Sequence, residues 1–222
     1  MEKTFWLNKW KQNQIGFHLS KFHPLLQEFS AKMFSRECSV FVPLCGKTKD
    51  MEFLYSQGFN VLGNEFSSIA AEDFFTEVRL AGQHPLNIIE QDPFIRYQQD
   101  KIEILVGDFF ELTKKQLKDI HCIYDRASLI ALSKEKRKNY VAHITEIMPK
   151  ATMLLITLDY DQQLMTGPPF SVDKTEVEQL FSFAKIEQLQ RRDIIEQEPH
   201  FKNKGLNSFY QTAYKIQWQL TL

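Results

Sequence analysis

Short apolar runs alternate with amphipathic segments along this chain from Cys38 onward. Each run is flanked by polar or turn-forming residues, which is the pattern of buried strands joined by helices. The predicted strands are Ser39–Val42, Asn60–Asn64, Ile102–Val106, His121–Tyr124 and Met153–Leu158. The predicted helices are Thr48–Gln57, Ile69–Ala81 and Lys134–Met148. Near-continuous apolar strands that alternate with helices predict an α/β fold, with a mostly parallel sheet and helices on both faces.

The amino-terminal segment, residues 1–36, has a different pattern. Phe5, Trp6 and Trp10 recur at helical spacing in an otherwise polar stretch, and a second helix is predicted over Lys21–Phe34. Aromatic side chains supply much of the apolar area that a protein buries, and their clustering in a polar segment is unusual. We expect residues 1–36 to be largely helical.

The carboxyl-terminal region predicts two long strands, Ile186–Ile194 and Ser208–Leu220, which should pair antiparallel. The segment Gln83–Lys101 is weakly patterned and contains two prolines, so it is interpreted as a lid or a small hairpin. No internal repeat or Gly/Ser-rich linker interrupts the chain, and a length of 222 residues suits one α/β domain over residues 1–222.

The charge, the apolar stretches and the cysteine content of the chain disfavour several classes of partner and site. The 27 basic and 28 acidic residues nearly cancel, which disfavours a nucleic-acid partner. The longest apolar stretch, Met153–Leu158, is far below the roughly 18 residues that a membrane span needs. The three cysteines are odd in number and widely spaced, and the six histidines are scattered. We therefore expect no metal, no disulfide framework and no membrane contact, and we place the protein in the reducing cytoplasm.

The segment Val40–Met51, VFVPLCGKTKDM, has the layout of the first strand–turn–helix unit of an α/β fold. In such folds a ligand binds at the carboxyl ends of the strands. Gly46 is the one glycine of this turn, whereas a turn that holds a dinucleotide diphosphate needs a set of glycines. A nucleoside without a diphosphate, such as S-adenosylmethionine, therefore fits the turn better. Lys47 is expected to be solvated.

Glu65 ends the second predicted strand, about twenty residues after the first turn, where an acid binds the two hydroxyls of a ribose. The alternative interpretation is an exposed acid that caps the helix starting near Ser67. The ribose interpretation is favoured, because it explains both the acid and its distance from Gly46.

Three later strand ends also carry candidate chemistry. After the third strand, Asp108 can accept from an adenine amine while Phe109 offers an apolar face, or the two can form a simple Gly-Asp turn. After the fourth strand, Arg126 is placed at a cleft, or Asp125 and Arg126 form an ion pair or a cap. After the fifth strand, the stiff loop Gly167–Phe170 can wall a substrate pocket or form a plain surface turn.

The ordered set of motifs resembles thiopurine S-methyltransferase in its bacterial form. The resemblance is colinear from about Phe5 to Ile194. It rests on Phe5-Trp6-x₃-Trp10, Ile15-Gly16-Phe17-His18, Pro43-Leu44-Cys45-Gly46-Lys47, Glu65-Phe66-Ser67, Phe74-Phe75-Thr76-Glu77, Gly107-Asp108-Phe109-Phe110, Tyr124-Asp125-Arg126-Ala127 and Gly167-Pro168-Pro169-Phe170. Asn64 departs from the resemblance, because this position is usually apolar in the family.

The resemblance implies a class I, Rossmann-like methyltransferase fold, with a seven-stranded mostly parallel sheet whose last strand inserts antiparallel. It also implies a site for S-adenosyl-L-methionine that the amino-terminal helix covers. The residues implied to bind the cofactor are Trp10, Leu44, Glu65, Asp108, Phe109 and Arg126. The residues implied to border the substrate are Phe17, Pro169 and Phe170.

The implied reaction transfers a methyl group to the sulfur of an aromatic or heterocyclic thiol and leaves S-adenosyl-L-homocysteine. We expect a small-molecule thiol as the partner, a monomer, and an electrostatic catalytic role for Arg126. Three alternatives stay open. They are methylation of inorganic selenium or tellurium species, a non-enzymatic module that binds S-adenosylmethionine, and a nicotinamide oxidoreductase, which the missing glycines disfavour.

Overall fold

The computed structural model describes residues 3–35, 38–78, 80 and 84–220. Contacts within the chain divide it into two compact units, one that ends at Ile123 and one that begins at Tyr124. Each unit is described below by itself. The single domain that we expect from the sequence stays a prediction.

The first unit contains four helices and five complete strands, counted over its described residues. The helices are α1 (Lys3–Lys11), α2 (Pro24–Met33), α3 (Asp50–Ser56) and α4 (Ser68–Glu77). The strands are β1 (Ser39–Val42), β2 (Asn60–Glu65), β3 (Asn87–Gln91), β4 (Phe94–Gln99) and β5 (Ile102–Val106). A sixth strand, β6 (Ile120–Asp125), begins in this unit and crosses into the next.

The strands of the first unit are ordered β3-β4-β5-β2-β1-β6. Strand β1 pairs in parallel with β2 and β6, and β2 pairs in parallel with β5. The apolar residues of these four strands are largely buried, as expected for parallel strands covered on both faces. The carboxyl ends of β1, β2 and β5 therefore lie along one edge of the sheet, which is where α/β folds bind ligands.

The segment that we interpreted as a lid or a small hairpin is a hairpin. Strands β3 and β4 pair antiparallel, with Asp92 and Pro93 as the connecting residues between Gln91 and Phe94. Strand β4 pairs antiparallel with β5, so the hairpin extends the sheet. Gln83, the first residue of the predicted segment, lies outside the described residues.

The second unit contains α5 (Lys134–Ile147), α6 (Lys174–Leu180), α7 (Pro199–Lys202), β7 (Lys150–Asp159), β8 (Lys185–Asp193) and β9 (Tyr210–Gln219). The last strand, β9, lies between β7 and β8 and pairs antiparallel with both. This arrangement confirms the predicted antiparallel insertion. The predicted number of seven strands is wrong, because the described residues form nine, and the two extra strands are β3 and β4. None of the described helices is long and apolar enough to span a membrane.

Gly63 allows the first turn and α3 to pack closely on β2. A Cβ at this position would lie 2.7 Å from Cys45 Sγ and 3.1 Å from Met51 Sδ. Both neighbours are buried, so neither can move away into solvent. The absence of a side chain at Gly63 therefore fixes the distance between β2 and the first turn.

We predict that Gly63→Ala lowers the free energy of unfolding by about 1–3 kcal/mol, because an added methyl group overpacks this contact. Urea denaturation measures the change. Gly16→Ala is the matched control, since a Cβ at Gly16 would meet nothing within 4 Å. Equal effects of the two substitutions would contradict this account of the packing.

Candidate functional site at the carboxyl ends of β1, β2 and β5

The first turn has a left-handed backbone at two positions. Leu44 has a φ of 45° and Gly46 a φ of 52°. Glycine adopts this conformation readily, whereas leucine rarely does. A hydrogen bond fixes the turn to β2, since the Cys45 backbone N–H donates to the Asn64 carbonyl at 2.9 Å. The chain therefore reverses tightly at the tip of β1 and presents backbone rather than side chains at Gly46.

The Glu65 carboxylate joins this turn to the start of α4. Oε2 accepts from the Gly46 backbone N–H at 2.9 Å. Oε1 accepts from the backbone N–H groups of Phe66 and Ser67, both at 2.9 Å. Glu65 is 3% exposed, so the alternative interpretation is wrong in making it an exposed acid, although its bonds at the start of α4 match the capping part of that interpretation. The role of Glu65 in ribose binding stays a prediction.

Burial changes the protonation of Glu65. Desolvation raises the pKa of the carboxyl group from 4.5 to about 7, and the hydrogen bonds from Ser67, Gly46 and Phe66 oppose this shift. A carboxylate offers about four acceptor positions, so three backbone donors leave room for a further donor. A bound hydroxyl group would supply one and would favour the charged form.

Trp10 lies directly on the first turn. Its side chain is buried, and a Cβ at Gly46 would lie 3.0 Å from Trp10 Cζ2. Phe17, which is half-buried, packs edge-on against the rings of Trp6 and Trp10 at centroid distances of 5.3 and 5.6 Å. The aromatic residues of the amino-terminal segment therefore cover the turn, and Gly46 is the residue that lets the indole ring approach.

Lys47 is buried rather than solvated, which corrects the prediction from sequence. Its side chain is 8% exposed, and Nζ contacts Asp73 Oδ2 at 3.1 Å and Glu77 Oε1 at 2.7 Å. Burial acts to lower the pKa of Lys47, but the hydrogen bonds to Glu77 and Asp73 outweigh it and raise the pKa. The residue therefore ties the first turn to α4.

The turn after β5 carries the two residues predicted to lie near an adenine. Asp108 is exposed, and its Oδ1 accepts from the Phe110 backbone N–H at 3.1 Å, which caps a short 3-10 turn over Phe109–Glu111. Phe109 is buried. The simple turn interpretation thus describes the local structure, and contact with an adenine stays a prediction for both residues.

Asn64 is a polar residue in this region whose importance the sequence did not reveal. It is 0% exposed, and its Nδ2 donates to the carbonyls of Leu105 at 3.1 Å and Gly107 at 3.3 Å. Among the described residues its Oδ1 has no hydrogen-bond partner. An unpaired buried acceptor costs about 1–3 kcal/mol. The sequence feature that could have revealed its importance is an amide at the end of an otherwise apolar strand.

In the second unit, Asp125 organises the segment that follows β6. Its Oδ2 accepts from the Tyr140 hydroxyl at 2.6 Å, and Oδ1 accepts from the backbone N–H groups of Ser128 and Leu129 at 3.1 and 3.3 Å. Desolvation of this buried acid raises its pKa. Asp125 is therefore a cap, one of the two structural interpretations considered. Arg126 follows it and is half-buried.

The Gly167–Phe170 loop of the second unit is held by several contacts. The Tyr160 hydroxyl donates to the Pro169 carbonyl, and the Phe170 N–H donates to the Ile130 carbonyl at 2.7 Å. The Arg137 guanidinium lies 5.7 Å from the centroid of the Phe170 ring. Pro169 and Phe170 are half-buried, so this loop keeps apolar surface accessible while its backbone is fixed.

The structure thus brings some of the predicted site residues together through direct contacts. Within the first unit, Gly46 contacts both Trp10 and Glu65, and the Gly107 N–H donates to the Glu65 carbonyl at 2.8 Å. The predicted residues joined in this way are Trp10, Phe17, Leu44, Glu65, Asp108 and Phe109. The others, Arg126, Pro169 and Phe170, belong to the second unit.

These residues fit a nucleoside cofactor. A buried carboxylate with remaining acceptor capacity suits ribose hydroxyls, whereas the Gly46 N–H already donates to Glu65 and the turn lacks the set of glycines that a diphosphate needs. Within the described ranges no three His, Cys, Asp or Glu side chains are grouped to hold a metal ion. The polar groups of Glu65 and of the first turn are therefore compatible with a nucleoside, and its binding here stays a prediction.

Comparison with known proteins identifies the class and then the family. A solved structure of a SAM-dependent methyltransferase from Anabaena variabilis has a TM-score of 0.66 and 16% identity, covering 96% of this chain and 93% of that chain. The fold is therefore the α/β fold of S-adenosylmethionine-dependent methyltransferases.

Sequence comparison is more specific. Proteins called thiopurine S-methyltransferase from Pseudomonas entomophila and Pseudomonas fluorescens are 42% and 41% identical over 218 residues, covering 97% of this chain and 99% of each relative. The sequence model of the family "Thiopurine S-methyltransferase (TPMT)" matches residues 1–219. The chain belongs to this family.

The pKa of Glu65 yields a prediction about stability. A carboxyl group whose pKa is raised to about 7 on folding stabilises the native state at low pH and loses this contribution as the pH rises through 7. In Glu65→Gln this pH dependence is absent. We predict that the free energy of unfolding of Glu65→Gln, relative to that of the wild type, increases by about 2.5 kcal/mol between pH 5 and pH 8.

Urea unfolding of both proteins at the two pH values measures this change. Glutamine also replaces an acceptor of the Gly46 N–H by a donor, but that effect is the same at both pH values. A difference that stays constant across this range would show that Glu65 does not titrate as proposed.

Proposed function

We propose that this protein transfers the methyl group of S-adenosyl-L-methionine to the sulfur of an aromatic or heterocyclic thiol. The observation that carries the proposal is the Glu65 carboxylate, which lies buried between the Gly46 N–H and the start of α4 at the carboxyl end of β2. Membership of the thiopurine S-methyltransferase family supports the choice of acceptor.

The residues of the first unit account for cofactor binding in the proposal. Glu65 accepts hydrogen bonds from the ribose hydroxyls, Asp108 accepts from the exocyclic amine, and Phe109 offers an apolar face to the adenine. Trp10 and Leu44 close the first turn around the ligand. When bound, S-adenosylmethionine supplies a methyl group that its sulfonium makes easy to transfer. The protein mainly contributes proximity and alignment.

The substrate is bound by apolar side chains in the proposal. Phe17 is half-buried beside Trp10, and Pro169 and Phe170 offer half-buried surface on a fixed loop. An aromatic thiol ionises readily, so no strong base is required, and Arg126 favours the anionic sulfur electrostatically. A small-molecule substrate and a cytoplasmic monomer complete the proposal, and the balanced charge of the chain disfavours a nucleic-acid partner.

The direct test is incubation with methyl-labelled S-adenosylmethionine and a set of acceptors. We predict label transfer to thiophenol and to a mercaptopurine, and binding of S-adenosylhomocysteine but not NAD in calorimetric titrations. Binding of the cofactor without transfer to any acceptor would indicate a non-enzymatic module. Transfer only to selenite or tellurite would indicate metalloid methylation, and tight NAD binding would contradict the proposal as a whole.

The electrostatic role of Arg126 has its own test. For a heterocyclic thiol that ionises within the assay range, removing a nearby positive charge should raise the pKa of the bound thiol and move the rise of kcat to higher pH by about one unit. We predict this shift for Arg126→Ala and a much smaller one for the control Arg126→Lys, which keeps the charge. An unchanged pH profile in Arg126→Ala would exclude this role.

A further inference from the structure

Asn64 links two of the turns that form the site. Its backbone carbonyl accepts from Cys45 in the first turn, at 2.9 Å. Its side-chain Nδ2 donates to the carbonyls of Leu105, in β5, and Gly107, just after β5, at 3.1 and 3.3 Å. One residue at the end of β2 therefore contacts both neighbouring turns.

The side-chain amide is chemically matched to this position. Nδ2 carries two hydrogens, and each of the two carbonyls takes one, so the donor capacity of the group is fully used. The reverse orientation would place Oδ1 against two carbonyl oxygens and is repulsive. A carboxylate would be repulsive in either orientation, and an aliphatic side chain of similar size would make neither bond.

Other contacts hold the flanks of the turn after β5, and the Asn64 amide binds the Gly107 carbonyl itself. The Gly107 N–H donates to the Glu65 carbonyl at 2.8 Å, and a Cβ at Gly107 would overlap the ring of Phe94. Asp108 then caps the following 3-10 turn through Phe110. The Asn64 amide therefore fixes the peptide from which the Asp108 side chain and the Phe109 ring project.

Stability alone does not account for Asn64. Its Oδ1 is buried and unpaired among the described residues, and this cost offsets part of the stability that the two bonds of Nδ2 supply. An aliphatic residue would leave no unpaired acceptor here. The side-chain amide of Asn64 therefore contributes more to the position of the turn after β5 than to the packing of β2.

We infer that Asn64 is a positioning residue for recognition of the adenine ring. It holds the Gly107 peptide so that Asp108 and Phe109 meet the base in a fixed geometry. This inference rests on the proposed function, in which S-adenosylmethionine binds at the ends of β1, β2 and β5. It adds a residue that acts through the Gly107 turn rather than through contact with the ligand.

The test is Asn64→Leu, with Asn64→Val as a second variant if the first does not fold. We predict that the Kd for S-adenosylhomocysteine rises about tenfold. This change corresponds to the net contribution of about one hydrogen bond, which a displaced turn would no longer make to the base. The melting temperature should fall by only a few degrees, because removal of the unpaired acceptor offsets part of the loss of the two Nδ2 hydrogen bonds. Calorimetric titration and thermal unfolding measure the two quantities.

A base analogue separates positioning from a merely structural effect. S-inosylhomocysteine carries a carbonyl in place of the exocyclic amine, so its affinity relative to S-adenosylhomocysteine reports on the Asp108 turn. We predict that the wild type strongly prefers the adenine form and that Asn64→Leu loses most of this preference. Asn60→Leu is the matched control, since Asn60 starts the same strand and should keep both the affinity and the preference.

The outcomes distinguish the two claims. If the wild-type protein binds S-adenosylhomocysteine and folded Asn64 variants keep its Kd and its base preference, the positioning role is wrong and the proposed function stands. If affinity falls equally for both analogues, whatever the change in melting temperature, Asn64 does not position the base, which also overturns the inference. If the wild type binds neither analogue, the proposed function itself fails.

Discussion

The site depends on one buried carboxylate and the three backbone N–H groups around it. Glu65 accepts from Gly46 on one side and from Phe66 and Ser67 on the other. An uncompensated buried charge is expensive, so the carboxylate holds the first turn and the start of α4 close to itself. Much of the local geometry follows from this constraint, including the left-handed backbone at Leu44 and Gly46 and the approach of Trp10 to the turn.

The same region contains the unsatisfied polar atoms that a purely structural strand end would avoid. Oδ1 of Asn64 and Oγ of Ser67 are buried without a hydrogen-bond partner among the described residues, and Glu65 between them has a pKa of about 7. Local departures from optimal stability are expected at functional sites. By contrast, the apolar side chains of β1 and β5 are buried, as in an ordinary sheet core.

Much of the fold was predictable because burial leaves a regular pattern. Strands β1 and β5 have the predicted bounds, and β2 is one residue longer than predicted. Strand β7 extends beyond its apolar run to Lys150–Asp159, because pairing with β9 continues through its polar ends. The sequence did not distinguish a lid from a hairpin for β3 and β4. The reason is that β3 is exposed along its whole length and so has no alternation of buried and exposed residues.

The site was less predictable than the fold, since it depends on contacts between distant residues. The position of Glu65 followed from the spacing rule for α/β folds, but its three backbone bonds depend on how the turn folds. The ion pairs of Lys47 were missed, because Asp73 and Glu77 lie on α4 and sequence separation conceals the contact. Asn64 looked like a mere departure from an apolar pattern, and only the position of the Gly107 carbonyl explains it.

The most direct measurement is a crystal structure of the protein with S-adenosylhomocysteine. The account predicts that the ribose hydroxyls lie within hydrogen-bond distance of the Glu65 carboxylate, with the carboxylate still bound to the Gly46 N–H. A ribose held by other residues, with Glu65 contacting backbone alone, would contradict it.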